Sequence, residues 1–246
     1  MVQDIDSLVR ANKEALAGLE AAIGYRFTDL RLLQNAVIHS SYAFEQGISA
    51  GSNERLEYLG DAVLDLVIGH LLYRRYPQLQ EGELSKLRAS LVNEQHLARM
   101  ARDIDLGRYL ALGRGEDSSQ GRSKPSILSC AYEAMLGAVF EDGGYGAVAE
   151  IVGRLFAPGI ADKKEELLIG DAKSRLQEVL QERYGQAPTY RIEAEDGPSH
   201  QRQFTAAVCF QDRVLATGQA GSKKEAEQRA AAAALGAIDD GGQRAA

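Results

Sequence analysis

Apolar residues recur at helical spacing along the first two-thirds of the chain and alternate at strand spacing near its end. Leu8, Ala15, Leu16, Leu19 and Ile23 outline one amphipathic segment, and Leu30, Leu32, Leu33, Ala36 and Val37 a second. A third helix begins near Asn53 and runs to about Tyr76, where Pro77 ends it. Glu83 to Asp103 reads as another long helix with Leu84, Leu87, Leu91, Leu97 and Met100 turned inward. Gly113 to Pro125 is polar and rich in glycine and serine, so it reads as loop. Ser126 resumes a helix through Cys130, Glu133 and Leu136 to Phe140, closed by Gly143 and Gly144.

The pattern changes at Ala157. Pro158, Gly159 and then Asp-Lys-Lys-Glu-Glu read as a charged linker over 159–170. Asp171 is placed to cap a helix reaching Tyr184, with Gly185 just beyond its end. Tyr190, Ile192 and Ala194 alternate with charged partners; Phe204, Ala206, Val208 and Phe210 alternate likewise; Val214 to Thr217 makes a third strand. A last helix starts near Ser222 and runs through the alanine-rich Ala230 to Ala234. The chain therefore divides into an all-α domain over 1–158, the linker, a small α+β domain of α-β-β-β-α order over 171–240, and a frayed tail over 241–246.

Composition narrows the class. With 246 residues, 45% hydrophobic and 26% charged, this is globular material with enough apolar content for a sizeable core. The polar start carries no signal-peptide pattern. The most apolar run, Ala62 to Tyr73, contains Asp65 and His70 and is too short for a bilayer, so no membrane partner is expected. Cys130 and Cys209 lie far apart without metal-type spacing, which suits a reducing cytoplasm. The net charge of −7 taken alone argues against nucleic acid. A local cluster of Lys and Arg suffices to grip a few phosphates, however, so the total carries little weight.

The stretch Asn53-Glu-Arg-Leu-Glu-Tyr-Leu-Gly-Asp-Ala-Val-Leu-Asp65 holds the densest chemistry. Glu54, Glu57 and Asp61 stand at i, i+3 and i+7, one stripe along a helix, while Leu56, Leu59, Val63, Leu64, Leu66 and Val67 mark that helix as buried. Carboxylates crowded on a core helix repel each other and lose hydration, a cost that a hard divalent cation offsets. A solvated acidic face is the bland alternative, and it fits one acidic pair better than three acids in an apolar helix.

Asn53-Glu-Arg-Leu-Glu-Tyr-Leu-Gly-Asp61 closely resembles the signature of the bacterial ribonuclease III family of double-stranded-RNA endonucleases. Asp171-Ala-Lys-Ser-Arg-Leu-Gln-Glu178, Gly197-Pro-Ser-His200 and Ser222-Lys-Lys-Glu-Ala226 resemble, in order, three parts of a double-stranded-RNA-binding domain. The resemblance covers nearly the whole chain. It implies an all-α endonuclease domain followed by a double-stranded-RNA-binding domain, acting as a cytoplasmic homodimer on duplex RNA. It further implies 5′-phosphate and 3′-hydroxyl ends with short 3′ overhangs, made in processing ribosomal and other structured RNA precursors.

By the same resemblance Glu57 and Glu133 are metal ligands, and Asp61 is an essential carboxylate that holds the metal or orients its water. Asp61 and Glu133 are the catalytic pair. The ion would be Mg2+, with Mn2+ able to substitute, and no small-molecule cofactor is implied. Glu54 and Glu81 match acids tied to substrate or subunit contact, and Tyr58 an aromatic that plugs into the partner across the dimer axis. Cys130 departs from the pattern, since the family usually has aspartate three residues before the glutamate. A thiol suits magnesium poorly, so Cys130 reads as a small buried residue and not as a direct ligand.

The resemblance also implies that Ser174, Gln177 and Glu178 meet one minor groove of A-form RNA, His200 the next, and Lys223 and Lys224 the phosphates between. The lysines also stand alone as an argument, because a helix N-terminus bearing two of them attracts anions. In isolation each of these residues is ordinary solvated surface; their joint spacing within α-β-β-β-α favours the functional reading. Arg122 and Lys124 in the polar loop are candidates for added substrate contacts, and His39 reads as a structural hydrogen-bonder.

Two other classes compete. One is a non-catalytic RNA-binding protein on a decayed nuclease scaffold, for which Cys130 is the sole sign. The other is a helical phosphohydrolase of small nucleotides, but His39, His70, His96 and His200 are scattered without the His-Asp pairs that class uses. It would also leave the C-terminal domain unexplained.

Overall fold

The computed structural model describes residues 4–48, 50–198 and 201–243. It divides into two compact units, Met1–Ala161 and Asp162–Ala246. The first is helical: α1 (Ile5–Ala11), α2 (Lys13–Ile23), α3 (Leu30–Ala36), α4 (Ser40–Gln46), α5 (Glu54–Arg75), α6 (Glu81–Val92), α7 (Glu94–Asp103), the short α8 (Arg114–Ser118) and the start of α9 (Pro125–Tyr184). The second holds the end of α9, then β1 (Thr189–Asp196), β2 (Gln203–Phe210), β3 (Arg213–Ala220) and α10 (Lys223–Gln243).

Two expected helices are each a pair. The first breaks at Asn12, whose Nδ2 donates to Gln34 Oε1 at 2.9 Å. The segment from Glu83 to Asp103 breaks at Asn93, which is extended and accepts from the His96 backbone N–H at 2.9 Å. At Asn93 a short side-chain acceptor starts a new helix by satisfying one of its orphan donors, whereas Asn12 makes no such cap and is held by Gln34; apolar periodicity is blind to both.

α5 is a single long helix. Acids occupy its first turn and Arg74 and Arg75 its last, both complementing the helix dipole. Its buried face is Gly60, Val63, Leu64, Val67, Ile68 and Leu72. Leu66, expected in the core, is 59% exposed, because two residues past Leu64 the helix has turned it to the far side. With Tyr58 (81%) and Tyr73 (71%) it forms an outward apolar stripe.

α9 departs most from expectation. Helical geometry fails at Gly144 (φ 70°, ψ −169°), so the glycine pair ends one helical segment as expected, and a second begins at once. Residues 159–170, expected as linker, are helical, and no new helix starts at Asp171. Lys, Glu and Leu are strong helix formers, so a segment can have linker-like charge and still propagate a helix. Tyr132 before the break and Phe156 after it fill the centre of the first unit, their rings 6.4 Å apart. Asp142 accepts from Tyr25 Oη (2.8 Å) and the backbone N–H groups of Thr28 and Asp29 (2.9 Å each), tying the α2–α3 loop to α9.

In the second unit the sheet is antiparallel in the order β1-β2-β3. Gln211 and Asp212, with φ of 48° and 62°, form the two-residue turn between β2 and β3. Leu176 and Leu180 from α9, Val208 from β2 and Ala230, Ala231 and Ala234 from α10 share one core. A Cβ on Gly218 would strike the α10 backbone at Ala226 and Ala230. The alanine run therefore lets α10 lie close against β3.

Candidate active site and nucleic-acid interface

α5 and α9 touch backbone to backbone. A Cβ on Gly60 would overlap the Glu133 carbonyl oxygen, and one on Gly137 would overlap the carbonyl oxygen of Leu56. The two glycines answer each other across the seam. Gly60 sits between Glu57 and Asp61, and Gly137 lies one turn past Glu133, so the close approach is what brings the three acids together.

Their electrostatics record the crowding. Burial first, then the charges of Asp61, Glu57 and Asp65, push the Glu133 carboxyl up to about 7. The Cys130 thiol is pushed up to about 12, by burial and then by donating its proton to the Glu57 carboxylate. At neutral pH it is a neutral S–H group. Asp65 belongs to this field although the motif comparison passed over it; it lies one turn beyond Asp61 and 3.7 Å from Arg88. Both partners of that ion pair are more than 40% exposed, so it adds little stability.

Glu54 stands apart. It is the first residue of α5, exposed, and accepts from Ser52 Oγ at 2.7 Å. It is not among the charges acting on Glu133 and instead lines an open groove of ≈ 720 Å³ with Arg31, Arg55 and Tyr58. The three keep the expected i, i+3, i+7 stripe on α5, with Glu54 at its exposed start and Asp61 two turns farther on, about 10 Å along the axis. Glu81 opens α6, is exposed, and accepts from Ser85 Oγ at 2.8 Å, outside the carboxylate group. Among the described residues no three His, Cys, Asp or Glu are gathered tightly enough to close around an ion. The carboxylates share a field without forming a finished ligand shell.

Other side chains are committed to holding the scaffold. Arg122 donates to Asp117 (2.7 Å) and to the carbonyls of Gly107 (3.2 Å) and Leu110 (2.6 Å), and Lys124 pairs with Glu116. Both were candidates for substrate contact, but they are spent on folding the loop that carries them. His39 Nδ1 caps α4 through the backbone N–H and Oγ of Ser41.

In the second unit Ser174, Gln177 and Glu178 are exposed on the face of α9 opposite Ala172, Leu176 and Leu180. Lys223 opens α10, and Ser222 Oγ accepts from the Glu225 N–H at 3.3 Å to cap it. The Lys223 ammonium lies 5.4 Å from the Phe204 ring and 3.9 Å from Glu195, and Lys224 is exposed beside it. Glu195 also pairs with Arg202 at 2.7 Å, a link between strand β1 and the start of β2 that no motif announced. His200 lies outside the described residues.

Known proteins match both units. The ribonuclease-III-like family model matches residues 29–160, and the double-stranded RNA binding motif matches residues 172–237. Ribonuclease 3 of Desulfotalea psychrophila is 61% identical over 236 residues, 96% of this chain and 98% of that protein. Ribonuclease 3 of Geobacter metallireducens is 46% identical over 223 residues, 90% of this chain and 91% of that one. The crystal structure of the ribonuclease III nuclease domain from Campylobacter jejuni superposes with a TM-score of 0.54 at 42% identity, covering 58% of this chain and 93% of that chain. The two units are therefore an endoribonuclease domain and a double-stranded-RNA-binding domain. The chain belongs to the ribonuclease III family.

Proposed function

We propose that the chain hydrolyses phosphodiester bonds of double-stranded RNA with a divalent ion held by Glu57, Asp61 and Glu133. The observation that carries this is the Glu133 carboxyl, raised to about 7 beside Asp61, Glu57 and Asp65 at a seam of two touching backbones. Hard oxygen donors confined there fit Mg2+, with Mn2+ as a substitute. When bound, the ion supplies Lewis acidity and activates water for in-line attack. Glu57, which accepts a hydrogen bond from the Cys130 thiol, would be one of its ligands. Asp61 would orient the attacking water, and Glu133, its carboxyl raised to about 7 by burial and its neighbours, would help hold the ion once deprotonated.

Ser174, Gln177, Glu178 and His200 read the duplex minor grooves, and Lys223 and Lys224 take the phosphates. The exposure of the α9 residues and the capped start of α10 support this reading. Glu54 and Glu81, outside the carboxylate group, serve substrate or subunit contact. Tyr58, with Leu66 and Tyr73, forms a stripe that a second copy of the chain covers. A structure of the Campylobacter jejuni nuclease domain describes a region involved in dimer formation. The products are 5′-phosphate and 3′-hydroxyl ends with short 3′ overhangs, and the substrates are ribosomal and other structured RNA precursors. The setting is the cytoplasm: both cysteines are free thiols, and no described helix is long and apolar enough to cross a membrane. Residues 159–170 join the nuclease domain (1–158) to the RNA-binding domain (171–240).

Long duplex RNA incubated with the wild type, Glu133→Gln and Cys130→Asp in Mg2+ and in Mn2+ tests this. Cleavage by the wild type and none by Glu133→Gln is expected. Duplex binding without cleavage under either ion would instead favour the non-catalytic reading, of which Cys130 is the sole sign.

A further inference from the structure

The second unit carries a cavity of ≈ 520 Å³ at the end of its sheet farthest from the RNA-contact elements. Its walls come from the last turns of α9, the β2–β3 turn and the far part of α10. The floor is apolar: Leu180, Leu215 and Ile238 line it, and the Tyr184 and Phe210 rings stand 5.3 Å apart beside it. Tyr184 is 57% exposed, an unusual state for a tyrosine next to an apolar hollow.

Two cations complete the lining, Arg183 and Arg213. Some arginines of this acidic chain are held by carboxylates, as Arg31, Arg122, Arg191, Arg202 and Arg229 are at 2.7 to 3.0 Å. Among the described residues Arg183 and Arg213 make no ion pair, and no acid lines the cavity. An apolar floor flanked by two guanidinium groups is complementary to an apolar anchor flanked by carboxylates.

Topology separates this cavity from the RNA-contact side. Phe204 pairs with Ala220 at one end of the sheet, beside Lys223, whereas Phe210 pairs with Arg213 at the other. Those ends are roughly 20 Å apart along the strand. Ser174 precedes Tyr184 by ten residues, about 15 Å of helix. A duplex backbone, polar over its whole length, would leave the apolar floor unfilled.

We propose that this cavity is a docking site for a protein segment that carries an aliphatic or aromatic anchor between acidic residues, and that it binds while duplex RNA is engaged. The full-length chain is titrated by fluorescence anisotropy against a labelled, end-blocked peptide with a Leu-Phe pair flanked on both sides by Asp and Glu. A matched peptide with Lys in place of the acids and an RNA duplex serve as comparison probes. Saturable binding of the acidic peptide alone is expected, weakened about tenfold in Arg183→Glu/Arg213→Glu and by added salt. Lys223→Glu/Lys224→Glu should bind it as the wild type does, and the arginine variant should still cleave duplex RNA. The proposal is overturned if the acidic peptide does not saturate, if the arginine variant binds it equally, or if the duplex displaces it.

Discussion

The carboxylate seam and the RNA-contact face of the second unit solve the same problem, holding several polar groups in register, by opposite means. At the seam the register comes from backbone contact: Gly60 against Glu133 and Gly137 against Leu56 leave no room for adjustment. On the RNA-contact face it comes from side chains on separate elements, with Lys223 resting on Phe204 and drawn toward Glu195. The seam should therefore fail all at once, and the RNA-contact face by degrees. Atoms that make bonds need tighter placement than charges that meet phosphates.

The largest test of that contrast is Gly60→Ala. The added methyl meets a carbonyl that cannot move aside, so the nuclease unit should lose ~3 kcal/mol or more and cleavage should vanish. Duplex binding by the second unit should persist. Thermal melting beside a gel-shift assay decides the matter, and a variant that melts and cuts like the wild type would refute the backbone account.

Glu133→Gln comes next. Cleavage should fall by roughly 10³-fold or more with binding intact. The same variant reports on the crowding. A folded-state value near 7, against 4.5 for a free glutamate, means that the stability of the neutral form is present below 4.5 and lost as pH rises through about 7. Without metal, Glu133→Gln should therefore melt above the wild type at pH 8, by roughly 5 °C, and match it at pH 4. Equal melting at both values would deny the repulsion.

Lys223→Ala/Lys224→Ala should behave as the RNA-contact face predicts. Duplex affinity falls, the slope of log affinity against log salt drops by about 2, and the turnover rate at saturating RNA holds. The smallest effect is expected of Cys130→Asp. A further carboxylate should raise magnesium-dependent cleavage a few-fold and lower the metal-free melting temperature at pH 8. Unchanged metal dependence would assign Cys130 to packing alone.

The helical half, the three strands and the acidic helix were legible because each rests on periodicity, and burial follows periodicity. What escaped was set by local side-chain hydrogen bonds or by absent atoms. Asn12 and Asn93 split helices that apolar spacing joins. The helix over 159–170 looked like a linker because charge suggests solvent, although Lys and Glu also favour helix. In the site, Glu57, Asp61 and Glu133 could be named from a motif, and Glu54 shares the helix face of Glu57 and Asp61 as its spacing implied, but its exposure at the first turn of α5 was not legible. Asp65 carried no motif signal, though its i+4 spacing from Asp61 was visible. Gly60 and Gly137 were silent, since a glycine in a helix pattern reads as a tolerated defect until its partner backbone is known.

That pair of glycines makes the seam a fixed ruler. With two backbones in contact, no repacking of neighbours can widen or narrow the gap that Glu57, Asp61 and Glu133 span. Reach then varies only with the acids themselves, one carbon–carbon bond at a time, about 1.5 Å. Exchanging Glu for Asp on one helix and Asp for Glu on the other would slide the site sideways without altering its frame, a graded way to ask which ionic radius the ruler was cut for.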